Sequence, residues 1–299
     1  KTGIFASLDR IARRGTILAS NTSFLDLNRI AAATSRPEWV VGLHFFSPAN
    51  VMRLLEVVRG AETSKAVVAT AMRLAKRIGK VAVLSGVCDG FIANRLMAPR
   101  GAQAEAMMLE DTPIAEIDRV LVDYGFAMGH FQMMDLVGLD VIGRNATERT
   151  VMGDLVAVGR LGQKRGAGYY DYDDKRRSRF SDVTGKLIKE VAAARGIASN
   201  RTSGDEALLG RLLYPVVNEG AKILEEGIAL RASDIDIAAV LGYNWPVYRG
   251  GPLFWADQVG LDRIVADMRA LEVVHGETFR PAPLLVRLAE AGRRFGDKS

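Results

Sequence analysis

A single cysteine, Cys88, excludes an internal disulfide and any cysteine-rich zinc site, and it fits a reducing compartment. Only 3 histidines are present, and two of them, His130 and His275, have no partners at metal-ligand spacing. Both are expected to be solvated, and no metal is assigned. No apolar run reaches membrane-spanning length, and neither a signal peptide nor a peroxisomal C-terminal address is recognised, so the chain is expected to be soluble and cytoplasmic. The net charge of +5 is diffuse. Its one dense run, Lys175-Arg176-Arg177-Ser178-Arg179, follows an acidic pair and reads as a solvated loop. Without interleaved aromatics it gives no reason to invoke nucleic acid, whereas the phosphates of a nucleotide or of coenzyme A would suit a mildly basic chain. Also absent is the glycine-rich strand-turn-helix fingerprint that holds a dinucleotide pyrophosphate.

What is there is core-forming sequence: 299 residues are long enough for two or three domains, and a hydrophobic share of 48% supports a sizeable core. Residues 3–14 place Ile4, Phe5, Leu8, Ile11 and Ala12 on one helical face, and Gly15 stops it. Thr16 to Ser20 reads as a buried strand, with Ser23 as the cap of a short helix through Leu27 and Ile30. Thr63 or Ser64 caps a helix whose inward face is Val67, Val68, Ala71, Leu74, Ala75 and Ile78, and Val81 to Leu84 is a further strand. Helices alternating with short apolar strands predict a parallel α/β sheet with ligands at the strands' carboxyl ends.

Within this region, Val40 to Arg59 carries the densest chemistry. A β-branched and aromatic run ends at His44-Phe45-Phe46, Ser47-Pro48-Ala49-Asn50 supplies turn chemistry, and Leu54 to Val58 is a second apolar run broken only by Glu56. Two strands joined by a tight corner bring His44 and Glu56 together. A carboxylate beside an imidazole fixes the ring tautomer and suits it to accept a proton. A core histidine near an edge-strand charge is the alternative that pattern alone leaves open.

From Gly90 onward the strand signals fade. Phe91 to Glu110 reads as a long helix containing Pro99, and Thr112-Pro113 as an N-cap and first-turn proline before a helix burying Ile114, Ile117, Val120, Leu121 and Tyr124. Gly162 to Tyr172 reads as a small hairpin. The second half repeats the first: NRLMAPRGAQAEAMMLED from Asn94 parallels GRLLYPVVNEGAKILEEG from Gly210, IDRVLVDYG from Ile117 parallels IDIAAVLGY from Ile235, and DLVGLDVI from Asp135 parallels ADQVGLDRI from Ala256. Two such apolar-faced units can cover one another about a pseudo-twofold axis. Trp245, Trp255, Tyr243 and Tyr248 are assigned to core and interface packing, with the lining of a ligand groove as the alternative.

Three motifs in order, LASNTS at 18–23, HFFSPANVMRLLEVV at 44–58 and GFIANR at 90–95, resemble the 3-hydroxyacyl-CoA dehydrogenase family in the form found in multifunctional fatty-acid β-oxidation proteins. The resemblance, with the C-terminal region, spans essentially the whole chain. It implies the second half of a Rossmann-type NAD-binding domain over 1–89, with the first βαβ unit upstream of Lys1, and two helical dehydrogenase C-terminal domains over 90–200 and 201–299. It further implies NAD as cofactor, an acyl-CoA substrate, an upstream enoyl-CoA hydratase/isomerase and a thiolase partner. Residue by residue, it implies His44 as base, Glu56 as its partner, Ser23 and Asn94 at the substrate, and Lys1 and Asn21 on the cofactor side. Read without the resemblance, Ser23 is a helix cap and Asn94 a surface polar residue. Ser47 departs from the asparagine of short-chain relatives, which bears on acyl chain length. In the family, short enzymes dimerise through the helical unit and multifunctional ones carry both copies, so residues 205–299 are expected to act as structural cover. The rival reading is a catalytically silent assembly module.

Overall fold

The computed structural model describes residues 1–142 and 149–297. By packing, the chain falls into two compact units, residues 1–99 with 214–299, and residues 100–213.

The first unit is built on a four-stranded sheet of β1 (Leu18–Ser20), β2 (Val40–Phe45), β3 (Leu54–Val58) and β4 (Val81–Ser85), in that spatial order. The outer pairings, β1 with β2 and β3 with β4, are parallel as the alternating elements predict; the central pairing is antiparallel, because β2 turns directly into β3. Both faces are covered, so the strands read as near-continuous apolar runs. Val40 and Val58 pack with Phe5, Leu18, Leu27, Ile30 and Phe91 on one side, while Val41 and Val57 pack with Val67 and Ala71 on the other.

The helices on these faces are narrower in contact than their patterns predict. In α1 (Thr2–Ile11) only Phe5 is buried, and Ile4, Leu8 and Ile11 are exposed. Asp26, not Ser23, caps α2 (Leu27–Ala31), accepting from the Asn28 and Arg29 N–H groups. In α3 (Lys65–Arg77) the cap is Ser64 and the buried stripe is Val67, Ala71 and Ala75; Leu74 and Ile78 lie off that i, i+4 line and face solvent.

Two proline-containing helices, α4 (Ala93–Leu109) and α10 (Asp205–Glu225), run from one unit's residues into the other's. In the second unit, α5 (Ile114–Tyr124) buries all five predicted residues and ends at Gly125, which has a positive φ. Its N-cap position is Pro113; Thr112 instead accepts from the Thr202 N–H. Then come α6 (His130–Val137), α7 (Leu139–Ile142), α8 (Val151–Ala157), a two-stranded ladder of β5 (Asp171–Tyr172) with β6 (Ser178–Arg179), and α9 (Asp182–Ala194). The predicted hairpin over 162–172 is therefore only its first arm with isolated bridges, and the basic run supplies the second arm. The second copy continues in the first unit as α11 (Ala232–Tyr243), α12 (Pro252–Val259), α13 (Leu261–His275) and α14 (Pro283–Glu290).

The repeat extends to hydrogen bonds. Buried Asp118 of α5 accepts from the Phe131 and Gln132 N–H groups at the start of α6, and its counterpart Asp236 of α11 accepts from Leu253 and Phe254 at the start of α12. The N-cap glycines Gly129 and Gly251 lie against these carboxylates so closely that a Cβ would overlap them. Asp135 accepts from the Tyr169 and Tyr170 N–H groups, and its counterpart Asp257 from Phe295 and Gly296. Burial pushes the Asp118 carboxyl up to about 6 and that of Asp236 up to about 7.

His130, expected in solvent, is 4% exposed. Gly101 of α4 carries no side chain to hold the ring away, and burial drives its pKa down to about 3. Tyr248, expected to pack, is 70% exposed, whereas Trp245 is buried. Among the described residues no helix is long and apolar enough to cross a membrane, and no group of three or more His, Cys, Asp and Glu could hold a metal.

Candidate active site

His44 and Glu56 are directly opposed in the antiparallel β2–β3 register. Opposed residues in such a pair project from the same face with Cβ atoms about 5 Å apart, which is why the two side chains meet. His44 Nδ1 lies 2.6 Å from Glu56 Oε2. Glu56 is fully buried, and its second oxygen, Oε1, accepts from the N–H groups of Ile92 at 3.1 Å and Ala93 at 2.8 Å. These are orphan donors at the start of α4, so the carboxylate is satisfied by a helix N-terminus. With an acceptor fixed on Nδ1, the imidazole carries its proton there, and Nε2 is left as the basic nitrogen.

Nε2 is 3.0 Å from Ser23 Oγ. Ser23 is available because neighbours perform the capping expected of it: Asp26 caps α2, and Thr22 accepts from the Leu25 N–H. The imidazole is walled by Phe46, with ring centroids 4.5 Å apart, and by Phe91 at 5.6 Å. The imidazole is buried, at 4% exposure, which strengthens each polar contact of the ring.

The other predicted residues join the same network. Lys1 Nζ donates to the Asn21 carbonyl at 2.8 Å, and Asn21 Oδ1 accepts from the Phe45 N–H at 3.2 Å, one residue past His44. Asn94, beside Ala93 at the start of α4, accepts through Oδ1 from the Tyr243 hydroxyl at 2.6 Å. All six predicted residues therefore gather around the carboxyl ends of β1 and β2 and the N-terminus of α4. The sequence reading missed three contributors. Phe46 was legible as the i+2 neighbour of His44 on one strand face. Phe91 lies within the GFIANR motif, while Tyr243 is 149 residues from its partner and has no local signal.

The rim of an α/β sheet is where such folds hold dinucleotides. The residues present leave donors for such a ligand: the Lys1 ammonium has three and the Asn21 carbonyl takes one. The buried Ser20 hydroxyl ends the adjoining strand with no hydrogen-bond partner.

Fold and site together define a dinucleotide-linked dehydrogenase architecture with an imidazole–carboxylate pair at the sheet's rim. The chain belongs to the 3-hydroxyacyl-CoA dehydrogenase family: residues 1–88 match the model of its NAD-binding domain, and residues 90–172 and 208–299 that of its C-terminal domain. Among curated relatives, the peroxisomal bifunctional enzyme of Danio rerio is 40% identical over 98% of this chain and 44% of its own length. A peroxisomal fatty acid beta-oxidation multifunctional protein of Arabidopsis thaliana is 35% identical over 98% and 42%. The chain thus spans less than half of these relatives. Among solved structures, 3-hydroxybutyryl-CoA dehydrogenase of Escherichia coli has a TM-score of 0.79 at 28% identity, covering 97% of this chain and 78% of that one. The dehydrogenase part of multifunctional enzyme 1 from C. elegans has a TM-score of 0.67 at 32% identity, covering 96% and 68%.

Proposed function

We propose that this chain is the dehydrogenase part of a multifunctional β-oxidation protein and carries out the reversible, NAD-dependent oxidation of (3S)-3-hydroxyacyl-CoA to 3-oxoacyl-CoA. The observation that carries the reading is the line Ser23 Oγ, His44 Nε2, His44 Nδ1, Glu56 Oε2, with contacts of 3.0 and 2.6 Å. When bound, NAD supplies the hydride acceptor. The chain's own residues do the proton work. His44 Nε2 takes the proton of the substrate's 3-hydroxyl, a contribution of about 10²- to 10⁴-fold. Glu56 keeps the Nδ1 proton in place and stabilises the imidazolium formed. Ser23, already bonded to Nε2, steers the substrate oxygen to it, and Asn94 donates to the acyl-CoA. Lys1 and Asn21 hold the nicotinamide end of the cofactor.

Partners follow from the family: an acyl-CoA substrate, an enoyl-CoA hydratase/isomerase in the same protein, and a thiolase that takes the 3-oxoacyl-CoA product. The two relatives described above are named peroxisomal; for this chain cytoplasmic placement is part of the proposal, in keeping with its one unpaired cysteine. The test is NADH oxidation by the full-length protein with acetoacetyl-CoA. Turnover supports the reading; a folded full-length protein that turns over nothing refutes it and favours an assembly role.

A further inference from the structure

Asn94 directly follows Ala93, whose N–H is bonded to Glu56, so its side chain leaves α4 at the end that braces His44. Its Oδ1 and the Tyr243 hydroxyl are 2.6 Å apart. That separation is normal for O–H···O and short for N–H···O, so the phenol donates and the amide oxygen faces the tyrosine. The amide NH₂, with its two donors, then points away from the tyrosine. An asparagine without such a partner has a broad, two-fold terminal torsion that exchanges donor and acceptor freely.

Tyr243 is itself held. It is the last residue of α11, and its ring meets Phe46 edge-on with centroids 6.5 Å apart. The helix end comes this close because the preceding residue is Gly242: a Cβ there would lie 2.9 Å from Leu54 and 3.4 Å from Phe46. Leu54 opens β3 and Phe46 follows β2, the strands of Glu56 and His44. In the first copy of the repeat, the position matching Tyr243 is Gly125, which ends α5. Gly125 lies one residue past its helix with a φ of 123°, whereas Tyr243 is still helical, so the second copy's helix carries a side chain one residue further at this point.

We propose that Tyr243 is a positioning residue of the dehydrogenase site, and that its phenol locks Asn94 with the NH₂ turned to the acyl-CoA carbonyl. The second helical copy thereby completes the substrate site of the first, beyond covering it. The inference rests on the hydroxyacyl-CoA reading. Tyr243→Phe keeps the ring and removes the donor. In the full-length protein kcat/KM for acetoacetyl-CoA should fall about 2- to 10-fold, the loss of one neutral hydrogen bond, with KM for NADH, the pH profile and the melting temperature unchanged. Asn94→Ala should cost more, and adding Tyr243→Phe to it should cost nothing further. Asn94→Asp, which keeps the acceptor for the phenol and removes both donors, should match Asn94→Ala. The proposal is overturned by a Tyr243→Phe enzyme equal to wild type, by an equal loss in the Asn94→Ala background, by an Asn94→Asp enzyme that keeps wild-type kcat/KM, or by parallel loss toward NADH and in melting temperature. A wild-type protein that oxidises no NADH overturns the dehydrogenase reading and this inference together, whereas an active wild type indistinguishable from Tyr243→Phe overturns the inference alone.

Discussion

Glu56→Gln replaces one carboxylate oxygen by NH₂ at nearly constant volume, in a position with no access to water. The amide has two orientations. In the first, its oxygen faces Ile92 and Ala93 and keeps both helix N–H bonds, so the NH₂ faces His44 Nδ1. The imidazole must then accept at Nδ1 and carry its proton on Nε2, where it can no longer act as a base. In the second, the oxygen faces Nδ1 and preserves the productive tautomer, but the NH₂ is pressed against two buried N–H groups. Leaving a buried donor unsatisfied costs about 1–3 kcal/mol, so the second orientation lies about 2–6 kcal/mol above the first. At 1.4 kcal/mol per decade the productive population falls by about 30- to 10⁴-fold. The expected result in the full-length protein is a kcat for (3S)-3-hydroxybutyryl-CoA oxidation lower by that factor, with KM for NAD unchanged and cooperative unfolding retained. Turnover within about threefold of wild type in a folded Glu56→Gln protein refutes the tautomer argument.

His44→Ala should lower kcat about 10²- to 10⁴-fold while leaving NADH binding, measured by fluorescence titration, intact. The duplicated acids give a pH dependence. Burial raises the Asp118 carboxyl from 3.8 to about 6 and Asp236 from 3.8 to about 7, so in the folded chain both hold protons that the unfolded chain has lost. Their contribution to stability is whole below pH 3.8 and is lost as pH rises through 6 and 7, each carboxyl giving a slope of about 1.4 kcal/mol per pH between its unfolded and folded values. The urea midpoint should therefore fall between pH 4 and 7.5, and Asp236→Asn should flatten that slope; a flat wild-type profile refutes it. Gly129→Ala pushes a Cβ into Asp118, costing about 1–3 kcal/mol by overpacking. Gly251→Ala does the same against Asp236 at a φ of 102° and adds about 1–3 kcal/mol of backbone strain, so it should be the more destabilising in denaturant titrations.

The parts of the site that were legible in the sequence are those fixed by short-range geometry. His44 and Glu56 sit on two runs joined by one corner, and an antiparallel register brings opposed residues together whatever surrounds them. Ser23 was placed in the right position but given the wrong neighbours, because Asp26 accepts from the first N–H groups of α2 and Thr22 from the Leu25 N–H ahead of it. The acceptors of Ile92 and Ala93, the burial of His130 under Gly101 and the phenol on Asn94 depend on segments that only the folded chain brings together. No periodicity or cap rule refers to them.

The internal repeat shows why a helical unit can be copied and then partly reassigned. In both copies two aspartates do the joining: one on the second helix caps the third, and one near that third helix's end receives the returning chain. Asp118, Asp135 and Asp236 are buried and each holds two backbone donors, so loss of any one of them strands N–H groups at about 1–3 kcal/mol apiece. Between these fixed points the copies have diverged, with His130 matched by Pro252, Tyr169 by Phe295 and Gly125 by Tyr243. A unit held by a few buried carboxylates tolerates such changes at its helix ends. The end of α11 is the place where a new side chain reaches β2, β3 and the start of α4, which is where Tyr243 stands.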